Sequence, residues 1–295
     1  IITAIGLLKF TGVGDIIWGK ISDKLSATVL GSSIGIVPTI AISAVTWEIG
    51  FNVGKSLGEA LFPDDKEIYK NFSFFGEGGF FDTIKNTIAE LGYTLVEPCV
   101  LKAIMYQVPQ KRERLIMIAI RNDLATKVRF VWPSPFSRVM TLRDAFYKSE
   151  IFDTDVPVSE GVKYPSKKEK VLSLVPQGGD WRNLPEEIAK EYMGGSWLLG
   201  GGKTGMARRL SLDEPSLTLT CSPCQKQTER CHPIETRPLT VREYARIQTF
   251  PDNWLFAGKM SDKYKQIGNA VPVNLAWAIG RSLIRLFNEI QKTEP

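Results

Sequence analysis

Two arginines, Arg112 and Arg114, stand two residues apart in the run Tyr106-Gln-Val-Pro-Gln-Lys-Arg-Glu-Arg-Leu115. A guanidinium is planar and permanently charged, and its fork of N–H donors can serve a carbonyl and a phosphate together. A second binding feature is Gly268-Asn269, within Tyr264-Lys-Gln-Ile-Gly-Asn-Ala-Val-Pro-Val-Asn274. A tight turn there, feeding a helix with Pro272 in its first turn, leaves backbone N–H groups facing one spot that suits a carboxylate or phosphate. Bland alternatives use the same letters. The glycine turn fits a plain helical hairpin closing a domain, and the arginines fit an exposed loop paired with its own Glu113.

Other reactive groups form incomplete sets. Cys221-x2-Cys224-x6-Cys231-His232 has partial zinc spacing, but adjacent Cys231 and His232 are poorly placed to ligate one ion and no second pair lies near. No metal is expected. Gly202-Lys203-Thr204 has the end of a phosphate-binding loop, yet the glycine required upstream falls on Trp197.

The elements that must position these groups have local signatures. Thr240 and Glu243 spell a capping box, with Leu239 and Tyr244 placed as a hydrophobic staple. Val241, Tyr244, Ala245 and Gln248 share the inner face of that helix, Arg242 and Arg246 point elsewhere, and Pro251 ends it near Thr249. Val271, Leu275, Ile279 and Leu286 form the core stripe of a last helix. Upstream, Ile84, Ile88 and Leu91 have helical spacing with Gly92 as C-cap. Tyr93–Val96 and Val100–Ile104 read as short strands, and the apolar run Leu115–Ile120 as a buried one. Between Arg121 and Thr236 the chain is rich in proline and glycine. There Gly200–Leu210 is a basic, pliant loop and Ser216–Thr220 alternates like a strand.

Of 295 residues, 43% are apolar, enough for one large domain or two smaller ones. The net charge of +5 is unevenly held: residues 1–81 carry six lysines, no arginine and eight acids, and Arg112 is the first arginine of the chain. The basic remainder fits a polyanionic partner. Leu25–Trp47 is an uncharged run of 23 residues, formally long enough for a membrane span but diluted by serines and broken by Pro38. A buried or partner-bound helical hairpin is the expectation. Four cysteines without a secretory pattern lead us to expect reduced thiols and a cytoplasmic address. A start at Ile1 leads us to expect a fragment or a processed product.

Arg237-Pro-Leu-Thr-Val-Arg-Glu with Gln248-Thr-Phe-Pro251, then Gln266-Ile-Gly-Asn-Ala-Val271, resembles the last two conserved blocks of the C5-cytosine DNA methyltransferases. The arginine run resembles that family's Gln-x-Arg-x-Arg element. The blocks stand in family order and cover about seven-tenths of the chain, from roughly Asp82 onwards. The resemblance implies an α/β fold: a partial doubly wound, Rossmann-like methyltransferase sheet with a small irregular target-recognition domain, preceded here by an apolar helical segment. Residues 82–121 would end the catalytic sheet, 122–236 form the recognition domain and 237–295 the closing helices, while 1–81 stand apart. Residues 51–81 faintly resemble segments of phage tail tape-measure proteins.

By resemblance, the family swings a cytosine out of duplex DNA and transfers a methyl group to its C5 from S-adenosylmethionine, commonly within restriction–modification systems. Arg114 would contact the extruded base at O2, and Arg112 would steady the DNA backbone nearby. Lys111, Lys203, Arg208 and Arg209 are expected at phosphates, and Thr218 and Thr220 at base edges or the thymine methyl. Asn269 and Ala270 would touch the amino-acid end of the cofactor.

Three family parts have no counterpart at their expected places: the glycine turn, the Pro-Cys-Gln nucleophile and the assisting glutamate. Pro223-Cys224-Gln225 spells the nucleophile block but lies just before Arg237, where the family has its recognition module. Pro98-Cys99 lies too near the arginines, and Phe10-Thr-Gly-Val-Gly14 lacks the strand and acidic residue a cofactor turn needs. The expectation is a chain that binds DNA weakly and does not methylate it alone. It would work with a second polypeptide carrying the missing motifs, or else be an inactive truncation or chimaera. The alternative from another class is a phage structural or membrane-associated protein acting through residues 1–81. A half-sheet also leads us to expect an unpaired, association-prone edge.

Overall fold

The structure is a computed structural model that describes residues 41–45, 80–199 and 203–293. The strands described are β1 (Ala41–Val45), β2 (Tyr93–Leu95), β3 (Cys99–Lys102), β4 (Gln110–Lys111), β5 (Glu113–Arg121) and β6 (Ser216–Leu217). The helices are α1 (Phe80–Glu90), α2 (Asn122–Ala125), α3 (Leu142–Phe146), α4 (Ser166–Ser173), α5 (Glu186–Met193), α6 (Val241–Ile247), α7 (Met260–Asn269) and α8 (Val273–Thr293). The chain divides into two compact units, one of residues 1–101, 114–133 and 280–295, the other of residues 102–113 and 134–279.

The first unit is built on β5. Its residues Ile116 to Ile120 are all buried, on both faces of the strand, which is the signature of a strand interior to a covered sheet. β2 pairs antiparallel with one edge, Tyr93 opposite Arg121 and Leu95 opposite Ala119, and β3 also pairs with β5. Antiparallel strands at one side of a doubly wound sheet are common. Ile84 of α1 and Met117 of β5 form a small core with Phe81, Ile88, Leu95 and Leu115. Gly92, at φ 82°, ends α1 in the left-handed conformation expected of a glycine C-cap.

The other edge of β5 is covered by β1, antiparallel, with Ala41 opposite Ala119 and Val45 opposite Leu115. This corrects one expectation: a helix was expected across Ala41–Val45. Strand pairing with β5 overrides the local apolar pattern, and β-branched Ile42 and Val45 suit a strand. The remainder of the Leu25–Trp47 hairpin, the Phe10–Gly14 turn, the tape-measure-like residues 51–79 and Gly200–Gly202 lie outside the described residues. No described helix is long and apolar enough to cross a membrane.

The second unit holds the irregular region together with the closing blocks. Leu142 and Phe146 of α3, Leu210, Leu219, Tyr244 of α6 and Ile267 of α7 meet in one core. A satellite core gathers Tyr164, Leu172, Leu184, Ala189 and Cys231. The capping box of α6 forms as read: Thr240 Oγ1 accepts from Glu243 N, and Glu243 Oε2 accepts from Thr240 N at 2.7 Å. Leu239 and Tyr244, the staple pair, are fully buried in the main core. The stripe Val271, Leu275, Ile279 and Leu286 is buried as well. The Ser216–Thr220 strand is shorter than expected, since its ladder stops at Leu217, and it pairs in parallel with β4.

Arg246 departs from its expected outward direction. It is fully buried and donates to the carbonyls of Ala145, Thr154 and Asp155 while pairing with Asp252 at 2.5 Å. Its guanidinium also lies 4.3 Å from the Phe152 ring. An irregular loop leaves carbonyls unpaired, and one fork satisfies several of them. Arg246→Met strips all those partners and is expected to cost roughly 3 kcal/mol or more. Arg242→Met, at a half-exposed position of the same helix, should cost about 1 kcal/mol. Urea midpoints of the two variants check this, and equal midpoints would contradict it.

Candidate functional site

The site in the second unit is assembled around β4. Gln110 is wholly buried, its Oε1 accepting from Leu219 N at 3.0 Å and its Nε2 donating to Gln248 Oε1 at 3.0 Å. Gln248 passes the contact on, donating Nε2 to Ile267 O at 2.8 Å and accepting from Val273 N at its own carbonyl. Thr249, held at φ 58°, accepts from Asn274 N, and Asn274 Nδ2 donates to Gln107 O at 3.1 Å. The arginine run, the Gln248-Thr-Phe-Pro block and the Gln266-Ile-Gly-Asn block therefore meet through buried amides.

Arg112 closes the same assembly. Its Nη2 donates to Gly268 O at 2.9 Å and its Nη1 to Leu219 O at 3.1 Å, with only 3% of the residue exposed. The role expected of it at the DNA backbone is thereby corrected. Both arms of its fork are taken by main-chain carbonyls, and that of Gly268 lies at the C-terminal end of α7, where a cation is also favoured by the helix dipole. The exposed-loop alternative fails too. Arg114 is equally buried, at the first-unit side of β5, and Glu113 pairs with Lys102 at 3.6 Å.

Gly268 and Asn269 are the last turn of α7, so the helix runs through the position read as a turn. The backbone N–H groups expected there for an anion are not those of a helix start. The first N–H groups of α8 are satisfied instead by Gln248 O and Thr249 Oγ1. What Gly268 provides is close approach: a Cβ there would stand 2.1 Å from Thr220 O and 2.5 Å from Thr220 C. Thr220 is held from the other side, since Tyr244 OH donates to its carbonyl at 2.9 Å.

Asn269 Oδ1 accepts from Cys221 Sγ at 3.3 Å, while its Nδ2 is buried with no hydrogen-bond partner. A buried donor without an acceptor is costly, and a ligand's carboxylate or carbonyl would satisfy it. The neighbouring Ala270 has its N–H bonded to Ile267 O.

Among the residues expected at DNA, Lys111 is exposed, with Glu214 3.6 Å away. Thr218 Oγ1 donates to Lys111 O, and Thr220 Oγ1 donates to Ser222 O. Lys203 is half-buried, Nζ reaching Trp197 O at 3.4 Å. Arg208 leans on buried Asp180 at 3.4 Å. Arg209 is a plain correction: 4% exposed, it donates to the carbonyls of Leu172, Val175, His232 and Glu235, and so is internal scaffolding. Its letters, Ala-Arg-Arg-Leu, do not distinguish that use from a phosphate contact. The Gln110–Gln248 pair was missed by sequence reasoning, since each glutamine carried no charge to draw notice.

Burial pushes the Cys224 thiol up to about 11, far from the thiolate a nucleophile needs. Among the described residues no cluster of three or more His, Cys, Asp or Glu side chains is placed to hold a metal ion. His232 stacks on Phe146, its Nδ1 accepting from Glu235 N at 3.0 Å, and Arg237 grips Glu243 with two bonds of 2.8 Å.

A family model described as C-5 cytosine-specific DNA methylase matches residues 70–285, beginning ahead of the composition break at Asp82. The type II methyltransferase M.Eco47II of Escherichia coli is 67% identical over 215 residues, 73% of this chain and 52% of that protein. M.PspPI of a Psychrobacter species, also a type II methyltransferase, is 61% identical over 209 residues, 71% of this chain and 50% of that one. Among solved structures, a DNA modification methyltransferase encoded within an E. coli prophage aligns at TM-score 0.47 and 23% identity, over 73% of this chain and 67% of that one. The chain spans about half the length of the curated relatives it matches.

Two measurements test this geometry. Gly268→Ala must push the end of α7 away from the Thr220 backbone and is expected to cost about 1–3 kcal/mol, read as a lowered urea midpoint. Burial holds His232 below its ordinary value, so on acidification the unfolded chain takes its proton first. The unfolded state then binds more protons, and stability falls as pH drops below about 6.5. Tm is expected to fall from pH 7 to pH 5, with a shallower fall in His232→Asn; an identical fall in the variant would assign the effect to other groups.

Proposed function

The chain belongs to the C-5 cytosine-specific DNA methylase family, and on that premise we propose that it supplies the DNA-recognition and cytosine-holding half of a DNA (cytosine-5) methyltransferase. The observation that carries this is Arg112, which ties the arginine run to the end of α7 and to the Leu219–Thr220 segment. Residues far apart in sequence are thereby set around one spot. In this reading residues 82–121 end the catalytic sheet, residues 122–236 read DNA, and residues 237–295 close the domain.

Each group then has a physical task. Arg114, buried and permanently charged, holds the extruded cytosine at its O2 edge. Arg112, Gln110 and Gln248 are positioning residues that fix the backbone on which the cofactor and DNA contacts sit. Lys111, exposed beside Thr218, meets a DNA phosphate. The Asn269 amide fits S-adenosylmethionine, its unpartnered Nδ2 donating to the carboxylate of the amino-acid end, with Ala270 beside it. When bound, the cofactor supplies the methyl group.

The glycine turn, the nucleophile and the assisting glutamate come in this reading from a second polypeptide. Cys224 does not replace the nucleophile, because its thiol stays protonated near neutral pH. Purified chain is expected to bind duplex DNA in the micromolar range, with affinity falling steeply as salt rises. It should transfer no labelled methyl group from S-adenosylmethionine until mixed with a polypeptide carrying the missing blocks. Lys111→Ala should weaken binding and flatten the salt dependence. Methyl transfer by the chain alone would overturn the division of labour, and salt-independent binding would overturn the DNA contact.

A further inference from the structure

We infer that residues 41–45 act as a strand plug on β5, occupying the sheet edge at which the complementing polypeptide docks. The inference rests on the complementation reading above.

Three observations place the plug. β5 lies inside the family match and is buried on both faces, so it is an interior strand that needs neighbours on both edges. β2 and β3 come from within the matched residues, but β1 comes from residues 41–45, outside them. The relatives are about twice as long as the matched stretch, so each has a further half able to supply a strand for the corresponding edge. Here the plug holds the same row of backbone groups.

The register says which groups those are. Val96 N donates to Ile118 O at 2.8 Å, so Ile118 turns its backbone N–H and C=O towards β2. Alternation then turns Leu115, Met117 and Ala119 towards β1, opposite Val45, Ser43 and Ala41. An incoming strand must form its ladder with those three residues, and it can do so only after β1 leaves. Docking is thus β-strand exchange, with a strand of the partner replacing one of this chain.

Ser43→Pro in the full chain removes a ladder donor, whereas Ile42→Pro changes a residue whose N–H faces away from β5. Hydrogen–deuterium exchange should rise about tenfold or more at Leu115, Met117 and Ala119 in Ser43→Pro, more than in Ile42→Pro. Ile116, Ile118 and Ile120 should stay protected in both. A chain with residues 41–45 replaced by a Gly/Ser stretch of equal length serves if the proline variant does not fold. Unchanged exchange in these variants overturns the plug. The second readout is capture of the M.Eco47II segment lying outside the matched residues, co-expressed with each chain. The plug-less chain should retain at least about tenfold more of it than the unaltered chain. Equal capture overturns this proposal alone, and capture by neither overturns the complementation reading and the partner assigned here with it.

Discussion

The second unit depends on one buried charge. Arg112 has almost no contact with solvent, and its fork meets two main-chain carbonyls, Leu219 O and Gly268 O. Those carbonyls belong to an irregular segment and to a helix end, two places where regular ladders supply no donor. A lysine could reach one of them with a point charge, but not both in a fixed plane. Gly268 completes the constraint, since the distance Arg112 spans is available only where no Cβ separates the helix end from the Thr220 backbone.

The same solution recurs in Arg209 and Arg246. Each is buried, each donates to several carbonyls, and each holds loops in a region poor in strands. Short helices α3 to α6 cannot pair the backbone between them, so guanidinium forks take the place of a sheet. This internal use accounts for the burial of Arg112, Arg209 and Arg246. It also limits what net charge can be taken to mean. The excess of basic residues raises the attraction to a polyanion, but a buried guanidinium adds to that field without being able to make a contact at the surface.

Much of the fold was legible in local chemistry. The capping box at Thr240 and Glu243, the glycine that ends α1, the buried run of β5 and the stripe of α8 are each decided by neighbours within a few residues. What was not legible depended on distant partners. Arg246 and Arg209 carry the letters of surface residues, and only the carbonyls of loops about 25 to 100 positions away turn them inward. Gly268-Asn269 has the letters of a turn but is helical, because the approach of Thr220 sets the requirement for glycine. Ala41–Val45 lies in a run that reads as a helix, and an available ladder on β5 makes it a strand. The three family blocks could be found by their letters, but the glutamine pair that joins two of them could not.

The glutamine pair shows why the blocks must lie far apart in sequence. The Leu219 segment and the closing helices are held at a fixed separation, and local turns cannot set distances between elements that are not neighbours. Gln110 and Gln248 can, because an amide is both donor and acceptor and so fixes two backbones at once. Being uncharged, the pair avoids the desolvation penalty of a buried ion pair. Being fully satisfied, it permits one register and penalises others. Asn269, a few residues from the carbonyls that Gln248 binds, is then the place where the network stops short: its Nδ2 is the donor left over when every neighbouring amide has been paired. That amide is thus a buried donor for which the fold supplies no acceptor, set beside the close approach at Gly268, where a carboxylate or carbonyl would complete it.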